Sequence, residues 1–230
     1  MSDQQEIDGI WIGPTKYPVW REKTEMTQYD GGVSIIANPE IDKIKGTLVA
    51  TILEKDALQR IEAPLKSLAE GGMKVRDLDK LGSPVFDLIN ERAKVMFKLA
   101  TGAKSAVVDD CWANVMYSDE WLIPHSHKRS TASVVFSLDP GDGETASDEP
   151  LNGHLMFSDP RLPQCCPGKP NWVSSFFRPI GDMPSMMVLF PSYITHMVAP
   201  YHGTRPRITI AWNLNETAVP GEVRHDGRME

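Results

Sequence analysis

The sequence predicts a mainly β protein, a β-sandwich or jelly roll with N-terminal helices packed on one outer face. Apolar residues recur at helical spacing only up to Gly102. From about residue 104 onward, short β-rich runs are separated by turn residues. Helices followed by strands, rather than alternating with them, suit antiparallel sheets with a helical layer on one side. At 230 residues the chain can bury one sizeable core. We therefore expect a single domain, with an irregular and helical support over 1–103, a β core over 104–215 and a poorly ordered tail over 216–230.

The elements follow in order. Residues 1–34, punctuated by Pro14, Pro18, Gly31 and Gly32, read as irregular or edge-strand material. From Glu40 to about Glu70 the stripe Ile44, Leu48, Ile52, Leu53, Leu58, Ile61, Leu65, Leu68 predicts helix, with a kink or a new start at Pro64 and an end at Gly71-Gly72. The next helix has Ser83 as N-cap, Pro84 at its first position, Asp87 in its first turn and Gly102 at its end. Val85, Leu88, Ile89, Val95, Met96 and Leu99 form its core-facing stripe. Strands are expected at 106–108, 112–116, 131–138, 154–157, 186–190, 196–198 and 207–213. Two long loops, 139–153 and 159–183, hang on that scaffold, where recognition usually sits.

Composition narrows the partners. The formal net charge is −7, and the sequence has no compensating run of Lys or Arg. That favours a small-molecule or peptide substrate over nucleic acid or an anionic membrane. Of the three cysteines, Cys165 and Cys166 are adjacent, a poor geometry for a mutual disulfide, and Cys111 is alone. With no framework spacing, no signal-like N-terminus and no apolar run near the roughly 18 residues that span a bilayer, a cytoplasmic protein is expected. A homodimer is compatible with everything in the sequence.

The candidate site is carried by His125-Ser-His127, His196 and Arg207-Ile-Thr209. On an extended segment, side chains two apart share a face, so the first two imidazoles converge. A third imidazole from another strand completes a three-ligand metal face with open positions. Arg207, 11 residues past His196, shares a strand face with Thr209 and Ala211 and can clamp a carboxylate near the metal.

The runs WANVMYSDEWLIPHSH, GHLMFSDPR and LFPSYITHMVAPYHGTRPRITIAWN, spanning about 112–213, resemble 2-oxoglutarate/Fe(II)-dependent oxygenases, in particular a prolyl-hydroxylase-like branch of bacterial and phage proteins. The resemblance implies a double-stranded β-helix, a cupin-like jelly roll with Fe(II) at its open end. His125 would be the first iron ligand and His196 the distal one. Arg207 and Thr209 would hold the far carboxylate of 2-oxoglutarate. Asn114, 11 residues before His125, would contact the cosubstrate, while the companion Tyr position is occupied by Met116 and Tyr117 points to the other face. The reaction implied is hydroxylation of a C–H bond coupled to conversion of 2-oxoglutarate to succinate and CO2.

The chief departure is His127, where the family has Asp or Glu; an imidazole there removes one negative charge from the metal shell. Asp159 is a candidate for a carboxylate supplied from elsewhere, although Asp159 and Arg161 fit better as loop residues over the pocket. A cupin-like three-histidine metalloenzyme without 2-oxoglutarate stays open, but it leaves Arg207 without a role. A β-sandwich that binds metal without turnover is the other open reading. His154 is expected to be packed, and His202 to be solvent-exposed in a turn; His225 lies in the tail. Cys165-Cys166 has no second ligand pair at finger-like spacing. Trp172, Phe176 and Phe177 suit either a pocket wall or loop anchoring.

Overall fold

The computed structural model describes residues 9–19, 26–29, 32–62, 73–143, 149, 151–158, 172–174 and 185–221. Four short strands come first: β1 (Ile10–Ile12), β2 (Thr15–Tyr17), β3 (Thr27–Tyr29) and β4 (Val33–Ala37). After a 3-10 turn at Pro39–Lys43 comes α1 (Lys45–Glu62), then β5 (Met73–Arg76) and α2 (Pro84–Thr101). The β core runs β6 (Val107–Met116), β7 (Leu122–His125), β8 (Ala132–Asp139), β9 (Leu155–Ser158), β10 (Trp172–Ser174), β11 (Met186–Pro191), β12 (His196–Val198) and β13 (Arg207–Asn215).

β1 and β2 pair as a two-stranded ribbon, and the other strands form a seven-stranded sheet, β3-β4-β11-β8-β13-β6-β5, and a four-stranded sheet, β10-β9-β12-β7, antiparallel throughout. From β6 to β13 the chain passes back and forth between the two sheets, the connectivity of a jelly roll.

Strand alternation divides the apolar residues between two clusters. Ala113 and Val115 on β6, Val134 and Phe136 on β8, Met187 and Leu189 on β11, and Ile210 and Trp212 on β13 join Leu48, Ile52, Phe86, Ile89 and Phe97 of the helices. The intervening Val188 and Phe190 join Leu155, Phe157, Val198 and Tyr201 in a smaller cluster that includes the four-stranded sheet. Trp212 is fully buried and donates its indole N–H to Asn90 Oδ1 of α2 at 2.8 Å. Trp212→Ala removes that packing and leaves Asn90 without its donor. We expect a loss of about 3–5 kcal/mol in a urea unfolding titration.

Several elements differ from the sequence expectation. The apolar stripe of α1 holds at Leu48 and Ile52, but Leu58 is 57% and Ile61 78% exposed. The buried face continues instead through Asp56, whose carboxylate accepts from Arg60 Nε at 2.9 Å, and Arg60 also reaches Glu120 at 2.9 Å. Satisfied charge thus substitutes for hydrophobic spacing. Ser83 precedes α2 as expected, yet its side chain makes no cap hydrogen bond; its carbonyl accepts from Asp87 N at 2.8 Å. Gly102 ends α2 in the left-handed conformation, φ 74°, as its residue type favours. A further strand, β10, lies inside the stretch expected to be irregular. Pro64, Gly71-Gly72, Asp159, Arg161, Cys165, Cys166, Phe176, Phe177 and His225 fall outside the described residues.

Candidate metal centre

Two of the three imidazoles meet through sheet register. His196, first residue of β12, lies directly opposite His125, last residue of β7. Their ring centres are 4.3 Å apart. His127 arrives differently from the expectation of one continuous strand. β7 stops at His125, and the His127 backbone N–H donates to the Ser192 carbonyl at 2.8 Å. That bond ties the segment after β7 to the turn before β12 and brings the His127 ring to 5.2 Å from His196. One ligand atom from each of the three rings lies within 4.8 Å of the others.

The rings suit a divalent metal. His125 Nδ1 donates to the Ile123 carbonyl at 2.7 Å and His196 Nδ1 to the Ile194 carbonyl at 3.0 Å. A proton held on Nδ1 leaves Nε2 with a free lone pair on both rings. Burial lowers the pKa of all three, His127 to about 2 and His196 to about 3, with neighbouring imidazoles reinforcing the effect at His127 and His196. Neutral imidazole is the ligating form.

Arg207, Thr209 and Asn114 line the same cavity as the histidines. Thr209 and Asn114 are cross-strand partners, both buried, with Asn114 Nδ2 3.5 Å from Thr209 Oγ1. Asn114 Oδ1 accepts from the Trp112 indole at 3.1 Å. Burial lowers the Arg207 pKa to about 10, so the guanidinium stays charged at neutral pH. Among the described residues it makes no ion pair, and its polar contact is with Met116 Sδ at 3.7 Å. Met116 thus stands beside the guanidinium, while Tyr117 turns away to place its ring 4.5 Å from the Arg60 guanidinium carbon.

The approach to Arg207 is fixed by a polar staple. Asp142 accepts backbone N–H bonds from Thr204 at 2.8 Å and Arg205 at 2.9 Å, and a hydroxyl bond from Thr204. Those bonds lower its pKa to about 2. Gly153, at φ +65°, lies where a Cβ would come 3.2 Å from Arg207 Cδ and 3.0 Å from Tyr201. Glycine there leaves room for the cation.

The other described histidines stay outside the cluster. His154 precedes β9 and bonds through its backbone to Leu151 and Ala199. His202 is half-buried rather than solvent-exposed, with Nδ1 3.0 Å from Asp119 and Nε2 3.4 Å from Glu149. The sequence reading missed Lys74, Ser133 and Asn213, which also line the cavity. Lys74 extends from β5 over the Trp112 ring at 5.6 Å, and no motif surrounds it. Asn213 was legible, since it continues the alternation of Arg207, Thr209 and Ala211.

A jelly roll thus brings three imidazoles that could hold a metal ion and a part-buried cation into one cavity. Residues 110–213, the β core, match the family described as "Putative 2OG-Fe(II) oxygenase". No curated protein matches the chain significantly. Among solved structures, a Pseudomonas putida prolyl-4-hydroxylase aligns at TM-score 0.53 and 15% identity, over 80% of this chain and 93% of that one. The viral collagen prolyl hydroxylase of Paramecium Bursaria Chlorella virus-1, in its 2-oxoglutarate complex, aligns at TM-score 0.52 and 11% identity, over 80% and 96%. HygX from Streptomyces hygroscopicus, with nickel and 2-oxoglutarate bound, aligns at TM-score 0.52 and 11% identity, over 80% and 82%. At such identities these likenesses establish the fold. The family match over the β core and the likeness of fold both point toward 2-oxoglutarate/Fe(II) oxygenases, and the three-histidine cluster could hold a metal ion. No described helix is long and apolar enough to cross a membrane.

Proposed function

We propose that this single-domain chain hydroxylates a C–H bond of a small molecule or peptide, with Fe(II) held by His125, His127 and His196. Arg207 and Thr209 bind the distal carboxylate of 2-oxoglutarate, and Asn114 donates to the cosubstrate from the neighbouring strand. The observation that carries this reading is the Arg207 guanidinium, charged, without a carboxylate partner among the described residues, in the cavity of the three imidazoles. A cation in such surroundings is stabilised by an anionic ligand. The bound metal supplies activation of dioxygen. The protein's own share is to orient the diacid between cation and imidazoles and to keep water out with Leu122, Val135, Leu155, Phe190 and Val198.

The neutral third ligand distinguishes this site from a two-histidine, one-carboxylate centre. Three imidazoles leave the metal charge uncompensated and favour a dianionic cosubstrate over water. They also match a cupin-like site that works without 2-oxoglutarate, but Arg207 and Thr209 then have nothing to bind. Succinate formation from 2-oxoglutarate, assayed with Fe(II) and oxygen, is expected to exceed the metal-free control and to stop in His125→Ala. Equal succinate with and without protein contradicts the proposal.

A further inference from the structure

The cavity-facing side chains of β13 run Arg207, Thr209, Ala211, Asn213. Six residues of strand place Arg207 and Asn213 about 20 Å apart along the backbone. A five-carbon diacid anchored on Arg207 cannot span that length, so the Asn213 end is left for another molecule.

Two buried side chains orient Asn213, itself buried. Ser133 is 2% exposed, Ser192 0% and Asn213 7%. Ser133 Oγ donates to Asn213 Oδ1 at 2.9 Å, which uses its only proton. The 2.8 Å contact between Ser133 and Ser192 must then run from the Ser192 hydroxyl to Ser133. Ser192 is itself fixed, its N–H on the Thr131 carbonyl at 3.2 Å and its carbonyl on the His127 N–H at 2.8 Å. This one-way chain turns the Asn213 oxygen toward β8. Its NH2 group has no acceptor among the described residues, although the side chain lines the metal cavity. A donor held in this orientation and open to the cavity is placed to bind an acceptor on a ligand.

We propose that Asn213 is a substrate-positioning residue whose carboxamide NH2 holds a carboxylate of the prime substrate, at the opposite end of the β13 cavity row from Arg207. The proposal rests on the oxygenase reading for the occupant of the Arg207 end. Charge selects carboxylate over a neutral carbonyl: no Asp or Glu lines the cavity among the described residues, while Arg207 and Lys74 do. The small carboxylate-bearing substrates that fit include free amino acids.

The test uses full-length protein loaded with Mn(II) and 2-oxoglutarate, with L-proline as probe and L-prolinamide as its control without a carboxylate. Relaxation of the probe's proton resonances by the metal reports binding near it, and calorimetry reports 2-oxoglutarate affinity. L-Proline is expected to bind at least tenfold more tightly than L-prolinamide. Asn213→Asp keeps an acceptor for Ser133 but puts a negative charge into the subsite, and it should weaken L-proline tenfold or more. Asn213→Ala should weaken it similarly, with 2-oxoglutarate affinity held within about twofold in both variants. Absence of L-proline binding, equal binding by wild type and variants, or a parallel loss of 2-oxoglutarate affinity each overturns the proposal. If 2-oxoglutarate fails to bind while L-proline binding depends on Asn213, the subsite stands and the oxygenase reading falls.

Discussion

Arg207→Ala is expected to raise the KM for 2-oxoglutarate about 100-fold or more while metal content stays at the wild-type level. The magnitude follows from truncating one side of a desolvated ion pair, which costs about 2–5 kcal/mol. About 100-fold corresponds to roughly 2.8 kcal/mol, inside that range, and the described lining contains no second Arg to take over. Metal should be retained because Arg207 lies on β13, whereas the imidazoles come from β7, β12 and the segment after β7. Arg207→Lys keeps the charge but loses the planar fork, and should recover only part of the affinity. Steady-state kinetics beside metal analysis of the same preparations checks both halves. Loss of metal together with 2-oxoglutarate dependence would show that Arg207 supports the fold of the site rather than the cosubstrate.

His196→Ala should abolish stoichiometric Fe(II) binding. Outer-shell changes alone cost roughly 10–100-fold in metal affinity, and loss of a ligand exceeds that. His196 is the sharpest choice because it is 5% exposed, is anchored through Nδ1 to Ile194 and pairs directly with His125. The informative companion is His127→Asp. It restores a carboxylate to the third position, so this variant should bind metal while His127→Ala does not. Anaerobic metal titration of the purified variants reads all three. Full metal binding by His196→Ala would remove that residue from the centre.

How much of this was legible follows from where each residue's position is decided. Alternation along β13 placed Arg207 and Thr209 together, because that strand pairs with β6 in unbroken register from Arg207 to Asn213. The pairing of His125 with His196 depends on the order β12-β7 in the smaller sheet, which spacing alone does not fix. His127 was predicted to converge by strand alternation and converges through the Ser192 carbonyl instead. Lys74 reaches the cavity because β5 adds to the edge of the larger sheet beside β6, a tertiary event with no local signature. Asp56 shows the same limit in α1: its burial is decided by Arg60 and Glu120, not by helical periodicity. Asp159, weighed as a substitute carboxylate ligand, lies outside the described residues, and the cluster among those described is all imidazole.

The most direct measurement of the central claim is the visible absorption of the Fe(II)-loaded protein under anaerobic conditions as 2-oxoglutarate is added. A weak charge-transfer band that saturates with 2-oxoglutarate, requires both components and disappears in Arg207→Ala is the predicted result. Stoichiometric Fe(II) with no band at any 2-oxoglutarate concentration would contradict the account and leave a three-histidine metal site that does not use this cosubstrate.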